Sequence, residues 1–509
     1  MSLEKGHLDE ICAWFAAGAG QGEPATVIET HAARVFLIGD HAYKIKKAVD
    51  FGYLDFSTPS KRAAALANEL ERNQAGAPGI YLAVHRVTRG PGGELTLDSP
   101  GEVLETVLRM RRFDPAAVLA IRPQWVNGDF AEALGRRIAL FHSDAPRRPE
   151  GGGAASLRFV LDSNAAHLRT LPDLAGDLAE RVIAAADLAL EAAAPLLDAR
   201  RAAGFARRCH GDLHLGNILA EAGEAVLFDC IEFNDALADI DVLYDLAFLV
   251  MDLIFRDQRA GAVRVLSGYL DEAARVDGDP VLDGLAALPL FASVRAVVRA
   301  HVSAQMGQAQ NARAYLQAGL DHLSPGPAAL IAIGGLSGSG KSSVARALAP
   351  GLGAEPGAII LRSDEIRKRL WGVGPKDRLP PDAYGPQGSE RVYRVMIDEA
   401  RRLLAAGRTV ILDAVFLRRA ERDAARALAA ASAVSFIGAW LEAPAEVLRA
   451  RVRVRAGDAS DADERVVDEQ VRLATGVIDW LSVDAMQTPA ASAAQIRLRA
   501  APSGIRSPG

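Results

Sequence analysis

Three oxygen-bearing side chains at fixed spacing are the first candidates for chemistry in this 509-residue chain. The segment that begins at His210 places Asp212 five residues before Asn217, and Asp229 follows a short apolar run at residues 225–228. Carboxylate and amide oxygens are ligands that Mg²⁺ prefers, and a carboxylate can accept the proton of an attacking hydroxyl. The pattern HxDxxxxN followed by a strand and an aspartate therefore predicts phosphoryl transfer. We expect Asp212 to be the catalytic base, and Asn217 and Asp229 to bind Mg²⁺ on the ATP phosphates.

Such a site also needs a lysine for the phosphates and a glutamate that holds the lysine. A Gly-Asp turn at residues 39–40 predicts a hairpin with Lys44 on its second strand. Glu69 lies in a segment of helical periodicity and is the expected partner of Lys44, with Glu71 as an alternative. Lys46 shares a strand face with Lys44 and is its rival. We expect Lys44 and Glu69 to form part of the ATP site.

A glycine-rich loop near the other end of the chain is the second candidate. The segment Gly335-Leu-Ser-Gly-Ser-Gly-Lys-Ser342 fits the pattern GxxxxGK[ST], between an apolar run and a helix-forming run. Glycines let backbone N–H groups turn toward a polyphosphate, and the next helix N-terminus adds partial positive charge. The sequence predicts an ATP site, with GTP possible, in which Lys341 reaches the phosphates and Ser342 also binds Mg²⁺. The expected nucleotide-binding residues are Gly335, Ser337, Gly338, Ser339, Gly340, Lys341 and Ser342.

Two later aspartates follow apolar runs and belong to the same prediction. Asp364 follows the run at residues 358–361, where it could accept the proton of an acceptor hydroxyl or cap the next helix. Asp413 ends the run at residues 409–412 and resembles a Walker B aspartate that holds Mg²⁺. Arg367 lies one helical turn after Asp364 and is suited to an anionic substrate group. We expect Asp364 to be catalytic and Asp413 to be a metal ligand.

An arginine-rich segment follows these aspartates. Arg451 and Arg455 are four residues apart, so they share one face of a helix. In a mobile lid they would bind the transferring phosphates. A solvated basic face is the alternative interpretation of the same pattern.

Composition and charge set limits on the class of protein. Hydrophobic residues make up 50% of the chain and charged residues 24%, which excludes a disordered chain, a collagen and a small disulfide scaffold. Residues 327–509 carry 26 Lys and Arg against 21 Asp and Glu, a net charge of +5, so the net charge of −6 leaves −11 for residues 1–326. The small positive charge of residues 327–509 suits a phosphate-rich small ligand. Because the net charge of the whole chain is mildly negative, nucleic acid is an unexpected partner. A breaker cluster at residues 323–328 predicts a boundary, with domains at 1–326 and 327–500 and a flexible tail at 501–509.

No targeting or membrane signal is visible in the sequence. The N-terminus has no apolar signal core, and the most apolar stretch, residues 242–255, is interrupted by Asp245 and Asp252. The three cysteines form no CxxC pair. We expect a cytoplasmic protein with reduced thiols and no membrane partner.

Residues 327–499 resemble the small phosphate-loop kinases of the gluconate kinase, chloramphenicol phosphotransferase and zeta-toxin type. The segment Asp364-Glu-Ile-Arg367 and the arginine-rich lid carry this resemblance beyond the phosphate loop itself. The resemblance implies a parallel sheet flanked by helices and an acceptor that is a small molecule or a nucleotide sugar. Related enzymes act on polynucleotide ends.

Residues 25–255 resemble the aminoglycoside phosphotransferase family, a branch of the protein-kinase-like fold. The loop at residues 210–217, Asp229 and the later segment Asp239-Ile-Asp-Val-Leu-Tyr-Asp245 carry this resemblance. It implies a bilobal kinase-like fold. The chain departs from the kinase pattern because no G-x-G-x-x-G loop precedes Lys44, Cys230 follows the metal aspartate and no APE segment is visible. The last two departures favour a small-molecule acceptor over a protein acceptor.

The whole chain is similar to bifunctional proteins in which an aminoglycoside phosphotransferase-like half is fused to a phosphate-loop ATP-binding half. The expected fold is mixed, α/β and α+β. The expected function is a two-site ATP- and Mg²⁺-dependent phosphotransferase for hydroxyl groups of small molecules, a sugar or sugar derivative among them. Two alternatives stay open: one domain is a nucleotide-binding regulator of the other, or the C-terminal domain is a polynucleotide-end or toxin-like kinase. The sequence does not indicate an oligomeric state.

Overall fold

The computed structural model describes residues 2–51, 54–171, 176–276, 281–454, 459–473 and 475–500. The chain forms two compact units. Unit 1 comprises Met1–Pro123, Ala145–Gly152 and Gly204–Asp245, and unit 2 comprises Gln124–Asp144, Gly153–Ala203 and Leu246–Gly509. Arg455 and the predicted tail at residues 501–509 lie outside the described residues. The boundary predicted at residue 326 falls inside unit 2, between a helix and a strand.

Regular elements account for most of the described residues. The strands are β1 (Thr26–Glu29), β2 (Ala33–Ile38), β3 (His41–Lys46), β4 (Tyr81–Arg89), β5 (Leu95–Leu97), β6 (Glu102–Arg111), β7 (Ala206–Arg208), β8 (Ile218–Glu221), β9 (Glu224–Leu227), β10 (Asp239–Asp241), β11 (Ala329–Gly335), β12 (Ile359–Arg362), β13 (Val410–Asp413), β14 (Ser435–Glu442) and β15 (Leu481–Asp484). The helices are α1 (Ser2–Ala16), α2 (Pro59–Gln74), α3 (Gly128–Asp144), α4 (Gly153–Thr170), α5 (Asp177–Ala202), α6 (Asp235–Ala238), α7 (Val242–Phe255), α8 (Arg259–Val276), α9 (Leu288–Gln305), α10 (Ala309–His322), α11 (Lys341–Leu348), α12 (Ser363–Leu370), α13 (Pro386–Ala405), α14 (Arg419–Ala431), α15 (Ala445–Val454), α16 (Glu464–Arg472) and α17 (Pro489–Ala500).

Unit 1 contains a six-stranded antiparallel sheet in the order β1-β2-β3-β6-β4-β5. The predicted hairpin is present, because β2 and β3 pair in antiparallel register and the two-residue turn at 39–40 joins them. Tyr43 and Ile45 on β3 pack with α1 in one apolar cluster. Since side chains alternate along a strand, Lys44 and Lys46 point to the opposite face. Helix α2 packs against β4 and β6, and its Glu69 meets both lysines.

The first part of unit 2 is helical. Helix α3 packs along α8, α4 along α5, and α9 along α10. The stretch Asp283–Gln305 is long and apolar enough to cross a membrane by length and composition alone, but 67% of its most apolar window is buried inside the protein. Burial of this kind is typical of a core helix.

The second part of unit 2 is built on a five-stranded parallel sheet in the order β12-β13-β11-β14-β15. The strand β11 is buried along its whole length, as expected for a central parallel strand covered on both faces. The glycine-rich loop connects β11 to α11, so it lies at the carboxyl edge of the sheet, where ligands bind in open α/β folds. The mixed fold expected from the sequence is present, with an antiparallel sheet in unit 1 and a parallel sheet flanked by helices in unit 2.

Helices α3 and α8 brace the P-loop part within unit 2. Val263 of α8 belongs to the same buried cluster as Ile331 of β11. The carboxylate of Glu132 on α3 lies 3.1 Å from Arg346 on α11 and 3.3 Å from Arg264 on α8. Apolar packing and shared ion pairs therefore join the helical part to the helix that follows the phosphate loop.

Arg408 is the largest fully buried side chain of unit 2. Its Nη2 donates to the backbone carbonyl oxygens of Ala354, Glu355 and Gly357 at 2.9, 2.8 and 3.3 Å. Burial lowers the pKa of Arg408 to about 10. The guanidinium thus gives three carbonyl oxygens of the segment before β12 a donor inside the protein.

Replacement of Arg408 should destabilise unit 2. In Arg408→Met the three carbonyl oxygens lose their donor inside the protein, so we expect a loss of about 2–4 kcal/mol in the free energy of unfolding. Urea titration followed by circular dichroism measures the change. The control is Arg401→Met, because Arg401 is exposed on α13 and such surface changes stay within about 0.5 kcal/mol. Equal midpoints for the two variants would contradict the structural role of Arg408.

Candidate active sites

The predicted lysine and glutamate meet in unit 1. Lys44 Nζ lies 2.6 Å from Glu69 Oε1 and 3.3 Å from Asp229 Oδ1. Burial opposes ionisation of Glu69, but Lys44 and Lys46 lower its pKa to about 2. Glu71, the alternative partner, is exposed on α2. The structure therefore selects Glu69 as the partner of Lys44.

The predicted catalytic loop connects β7 to β8 and ends in a short 3-10 helical turn at Leu215–Asn217. Asn217 Nδ2 donates to Asp212 Oδ2 and to the Asp212 carbonyl oxygen, both at 2.9 Å. The carbonyl oxygen of Asn217 accepts from the N–H of Phe228 at 3.0 Å, which places Asn217 beside the residue before Asp229. His210 is fully buried and its Nε2 lies 2.9 Å from the Phe228 carbonyl oxygen. The loop therefore brings Asp212, Asn217 and Asp229 together, with His210 as packing.

Two side chains that sequence reasoning missed hold Asp229. This residue adopts a left-handed backbone conformation, with φ of +62°, which costs free energy for a residue other than glycine. Its N–H donates to Tyr81 Oη at 3.0 Å, and the next N–H, of Cys230, donates to Asn73 Oδ1 at 2.9 Å. Asn73 lies four residues after Glu69 on α2 and therefore shares its helix face, so helical periodicity could have indicated that it lies near the site. No sequence pattern pointed to Tyr81.

The sequence drew attention to Asp245 through a resemblance and as an interruption of an apolar stretch, and the structure shows what its carboxylate contacts. Its carboxylate accepts from the N–H groups of His210 and Gly211 at 3.1 and 2.9 Å. Gly211 has φ of +85° and opens the catalytic loop. The buried carboxylate of Asp245 therefore fixes the backbone immediately before Asp212.

The glycine-rich loop of unit 2 has the backbone that phosphate binding needs. Gly338 and Gly340 have φ of +84° and +88°, conformations that favour glycine. A Cβ at Gly335 would lie 2.7 Å from the carbonyl oxygen of Leu441. Helix α11 begins at Lys341, whose Nζ donates to the carbonyl oxygen of Gly335 at 2.9 Å. The lysine is thus folded over its own loop.

A cavity of about 600 Å³ opens beside this loop. Most of the predicted residues line it, namely Ser337, Gly338, Gly340, Lys341, Ser342, Asp364, Arg367, Asp413 and Arg451. Burial raises the pKa of Asp413, while Arg362, Lys341 and Ser342 act in the opposite direction. The buried carboxylate of Asp413 faces the cavity, and its Oδ2 lies 3.4 Å from Arg362 Nε.

Asp364 is a wall residue of this cavity rather than a helix cap. Helix α12 begins at Ser363, and Arg362 occupies its N-cap position. Arg367 is buried and its guanidinium lies 5.0 Å from the ring centre of Tyr384. The N-cap alternative for Asp364 is therefore not observed, and its role as a base stays a prediction.

Helices α15 and α16 supply the remaining wall. Arg451 donates to the carbonyl oxygen of Ala485 at 2.9 Å and faces the cavity, so the solvated-face alternative does not describe it. Gln470, which sequence reasoning missed, accepts from the N–H of Ser337 at 2.8 Å and donates to its Oγ at 3.1 Å. Asp461 accepts from Tyr384 Oη at 2.7 Å. Helix α16 therefore contacts the phosphate loop through Gln470, and Asp461, just before α16, contacts the opposite wall.

Two protein families match the chain, one in each of the two regions that contain a candidate site. Residues 56–284 match the Phosphotransferase enzyme family, and residues 330–476 match an AAA domain family. Both ranges overlap the regions where the motifs predicted an aminoglycoside phosphotransferase-like part and a phosphate-loop kinase part. The predicted resemblance is confirmed.

Several solved kinase structures resemble parts of the chain. A choline/ethanolamine kinase family protein from Mesorhizobium loti is 17% identical, covering 62% of this chain and 98% of that one, with a TM-score of 0.38. A gluconokinase from Sinorhizobium meliloti is 23% identical, covering 35% of this chain and 94% of that one, with a TM-score of 0.24.

Curated relatives span both parts. The uncharacterized protein Rv2004c of Mycobacterium tuberculosis strain H37Rv is 32% identical over 472 residues, which cover 89% of this chain and 90% of the relative. The uncharacterized protein Mb2027c of Mycobacterium bovis matches to the same extent. The chain therefore belongs to the same family as these mycobacterial proteins, and it is a phosphotransferase in which a domain of the Phosphotransferase enzyme family precedes a P-loop kinase domain.

Proposed function

We propose that this phosphotransferase has two ATP-dependent sites, each of which phosphorylates a hydroxyl group of a small molecule, with sugars and sugar derivatives as the first class to test. One observation carries the proposal. Each unit separately brings together a lysine, aspartates and a further polar side chain with an oxygen atom, the residue types that phosphoryl transfer uses. A pattern of this kind is needed for phosphoryl transfer, in which catalysis consists mainly of positioning and charge stabilisation.

In unit 1 the proposed roles follow from the contacts. Lys44 binds the nucleotide phosphates while Glu69 orients it. Asp212 accepts the proton of the acceptor hydroxyl, and Asn217 holds the Asp212 carboxylate. The oxygen atoms of Asn217 and Asp229 fit Mg²⁺, which prefers hard oxygen ligands. When bound, Mg²⁺ neutralises the negative charge of the phosphates.

In unit 2 the glycine-rich loop binds the phosphates of a second nucleotide. Lys341 leaves the Gly335 carbonyl oxygen and contacts the phosphates, since its flexible side chain already lies over the loop. Asp364 accepts the proton of the acceptor hydroxyl. The hydroxyl of Ser342 and the buried carboxylate of Asp413 fit Mg²⁺. Arg451 faces the same cavity and stabilises the transferring phosphate.

A phosphoryl-transfer screen separates the two sites. Labelled ATP is offered with sugars, aminoglycosides, nucleosides and nucleotide sugars to the full chain, to Asp212→Asn and to Lys341→Ala. We expect Asp212→Asn to slow one product by about 10²–10⁴-fold, the usual contribution of a general base. Lys341→Ala should slow the other product by about 10²-fold or more, because a group that stabilises phosphate charge is lost.

Two matched variants keep this screen interpretable. Asp9→Asn changes an exposed aspartate of α1, and Lys376→Ala changes an exposed lysine of the P-loop part. Neither should alter product formation. If no acceptor in any class is phosphorylated although MgATP binds, the two-site proposal fails.

A second function is favoured by one observation in unit 2. Ion pairs connect the P-loop part to helices of the phosphotransferase match, for example Arg346 with Glu132 and Arg369 with Asp271. Helix α12, which carries Arg369, also carries Asp364. Nucleotide binding at the loop could thus bias helices α3 and α8, which is the regulatory alternative.

The regulatory alternative gives a different result in the same assay. If it holds, Lys341→Ala leaves phosphorylation by the N-terminal site intact but removes its dependence on the nucleotide bound at the loop. Arg346→Met should reduce that dependence in the same direction, because it breaks the contact with Glu132. Steady-state rates with the N-terminal acceptor, measured with and without added ADP, provide the test. A product lost only in Lys341→Ala excludes regulation as the sole role.

A further inference from the structure

Unit 1 contains a second buried lysine for which the kinase pattern provides no role. Lys46 Nζ lies 2.7 Å from Glu69 Oε2, the oxygen that Lys44 does not bind, and donates a hydrogen bond to Glu232. Its side chain is 3% exposed, against 15% for Lys44 and 47% for Asp229. Lys46 therefore lies inside the protein, whereas Lys44 and Asp229 reach the surface where a nucleotide can bind.

Glu232 is also buried, and it depends on Lys46. Burial raises the pKa of Glu232, and the charge of Lys46 only partly offsets this effect. The ring of Phe56 covers the ammonium group of Lys46, with its centroid 5.2 Å from Nζ. In the structure the partner of Glu232 is Lys46.

These contacts form one chain of alternating charges that runs through Asp229, Lys44, Glu69, Lys46 and Glu232. Both ends of the chain come from the same short segment, since Glu232 follows Asp229 by three residues. The outer end at Asp229 is exposed to solvent, whereas the inner end at Glu232 is buried. The inner pair thus ties the metal-binding segment to β3 and α2 from the side that a nucleotide does not reach.

Nucleotide binding changes the outer end of this chain. Bound phosphates share the ammonium group of Lys44 with Glu69 and Asp229, so Glu69 keeps only part of the positive charge of Lys44. A buried carboxylate that loses its partner is strongly destabilised. Lys46 stays against Glu69 when Lys44 turns to the phosphates, so the carboxylate keeps a counter-ion.

We propose that Lys46 and Glu232 are positioning residues that hold Glu69 and the segment 229–232 in place, so that Lys44 is free to bind the phosphates and Asp229 is held ready for Mg²⁺. The proposal rests on the proposed function of the unit 1 site. In the kinase pattern a single lysine both binds the phosphates and pairs with the glutamate, whereas here these two roles are divided between two lysines. Lys44 contacts the nucleotide, and Lys46 acts only through Glu69 and Glu232.

The test measures how much Mg²⁺ a nucleotide needs. A fluorescent ATP analogue is titrated at increasing Mg²⁺ into the full chain carrying Lys341→Ala, which silences the P-loop site. In this background Lys46→Met should raise the half-saturating Mg²⁺ concentration about 10–100-fold, the usual cost of losing a partner that orients a metal ligand. Binding of the analogue without Mg²⁺ should change much less.

Further variants separate positioning from simple loss of folding. Lys46→Arg keeps the charge and should recover most of the Mg²⁺ affinity. The double variant Lys46→Met with Glu232→Gln should be less impaired than Lys46→Met alone, because no charged Glu232 is left without its partner. Lys47→Met is the matched control, since the neighbouring Lys47 pairs with the exposed Glu29. Thermal melting checks that each variant is folded.

The outcomes distinguish this inference from the proposed function. If Asp229→Asn raises the Mg²⁺ requirement but Lys46→Met leaves it within about twofold of the background, the positioning role is overturned. If Asp229→Asn also has no effect, the proposed metal site of unit 1 fails first. Should Lys46→Met not fold, Glu232→Gln decides, because it keeps the shape of the side chain: an increase in the Mg²⁺ requirement supports the proposal, and no change overturns it.

Discussion

The ionised carboxylate of Glu69, buried between two ammonium groups, is the interaction on which the site of unit 1 depends. Burial of a charge is costly unless ion pairs compensate it. Here Lys44 and Lys46 supply that compensation from one face of β3. The face is available because Tyr43 and Ile45 turn to the α1 side. Strand alternation, helix α2 and the hairpin turn therefore all serve to bring one carboxylate to two lysines.

Specific contacts also hold the segment that begins at Asp229. Asp229 adopts a strained backbone conformation that persists only when its surroundings hold it. Tyr81, Asn73 and Lys44 provide the holding contacts. In unit 2 the left-handed conformations of the loop fall on Gly338 and Gly340, which adopt them without strain. The two folds thus bring a lysine and aspartates together by different means.

Unit 2 shows that a motif boundary need not be a boundary of packing. The phosphate-loop sheet begins at Ala329, yet Val263 of the preceding helical part lies in its buried cluster. Glu132 is shared by Arg264 and Arg346. Because the compact unit extends across residue 326, the helices that precede this residue stabilise the element that carries Lys341. Composition and breaker residues indicate where one part of the chain ends and the next begins. They do not indicate which helices pack against which sheet, because that depends on the folded chain.

Short-range sequence patterns were sufficient to predict much of the fold of this protein. Short-range pattern and backbone preference indicate the glycine-rich loop, the HxDxxxxN spacing, the hairpin at residues 39–40 and the strands that end near Asp229 and Asp413. Sequence alone therefore determined the two kinds of kinase fold and supplied most of the candidate site residues, whose roles stay predictions. Tertiary structure decided between Glu69 and Glu71, gave Lys46 its partner Glu232, and recruited Tyr81 and Gln470. These contacts join residues far apart in the chain, or depend on which helix face is buried. Charge pairing inside the protein is set by burial and distance, and neither quantity can be read from spacing along the chain.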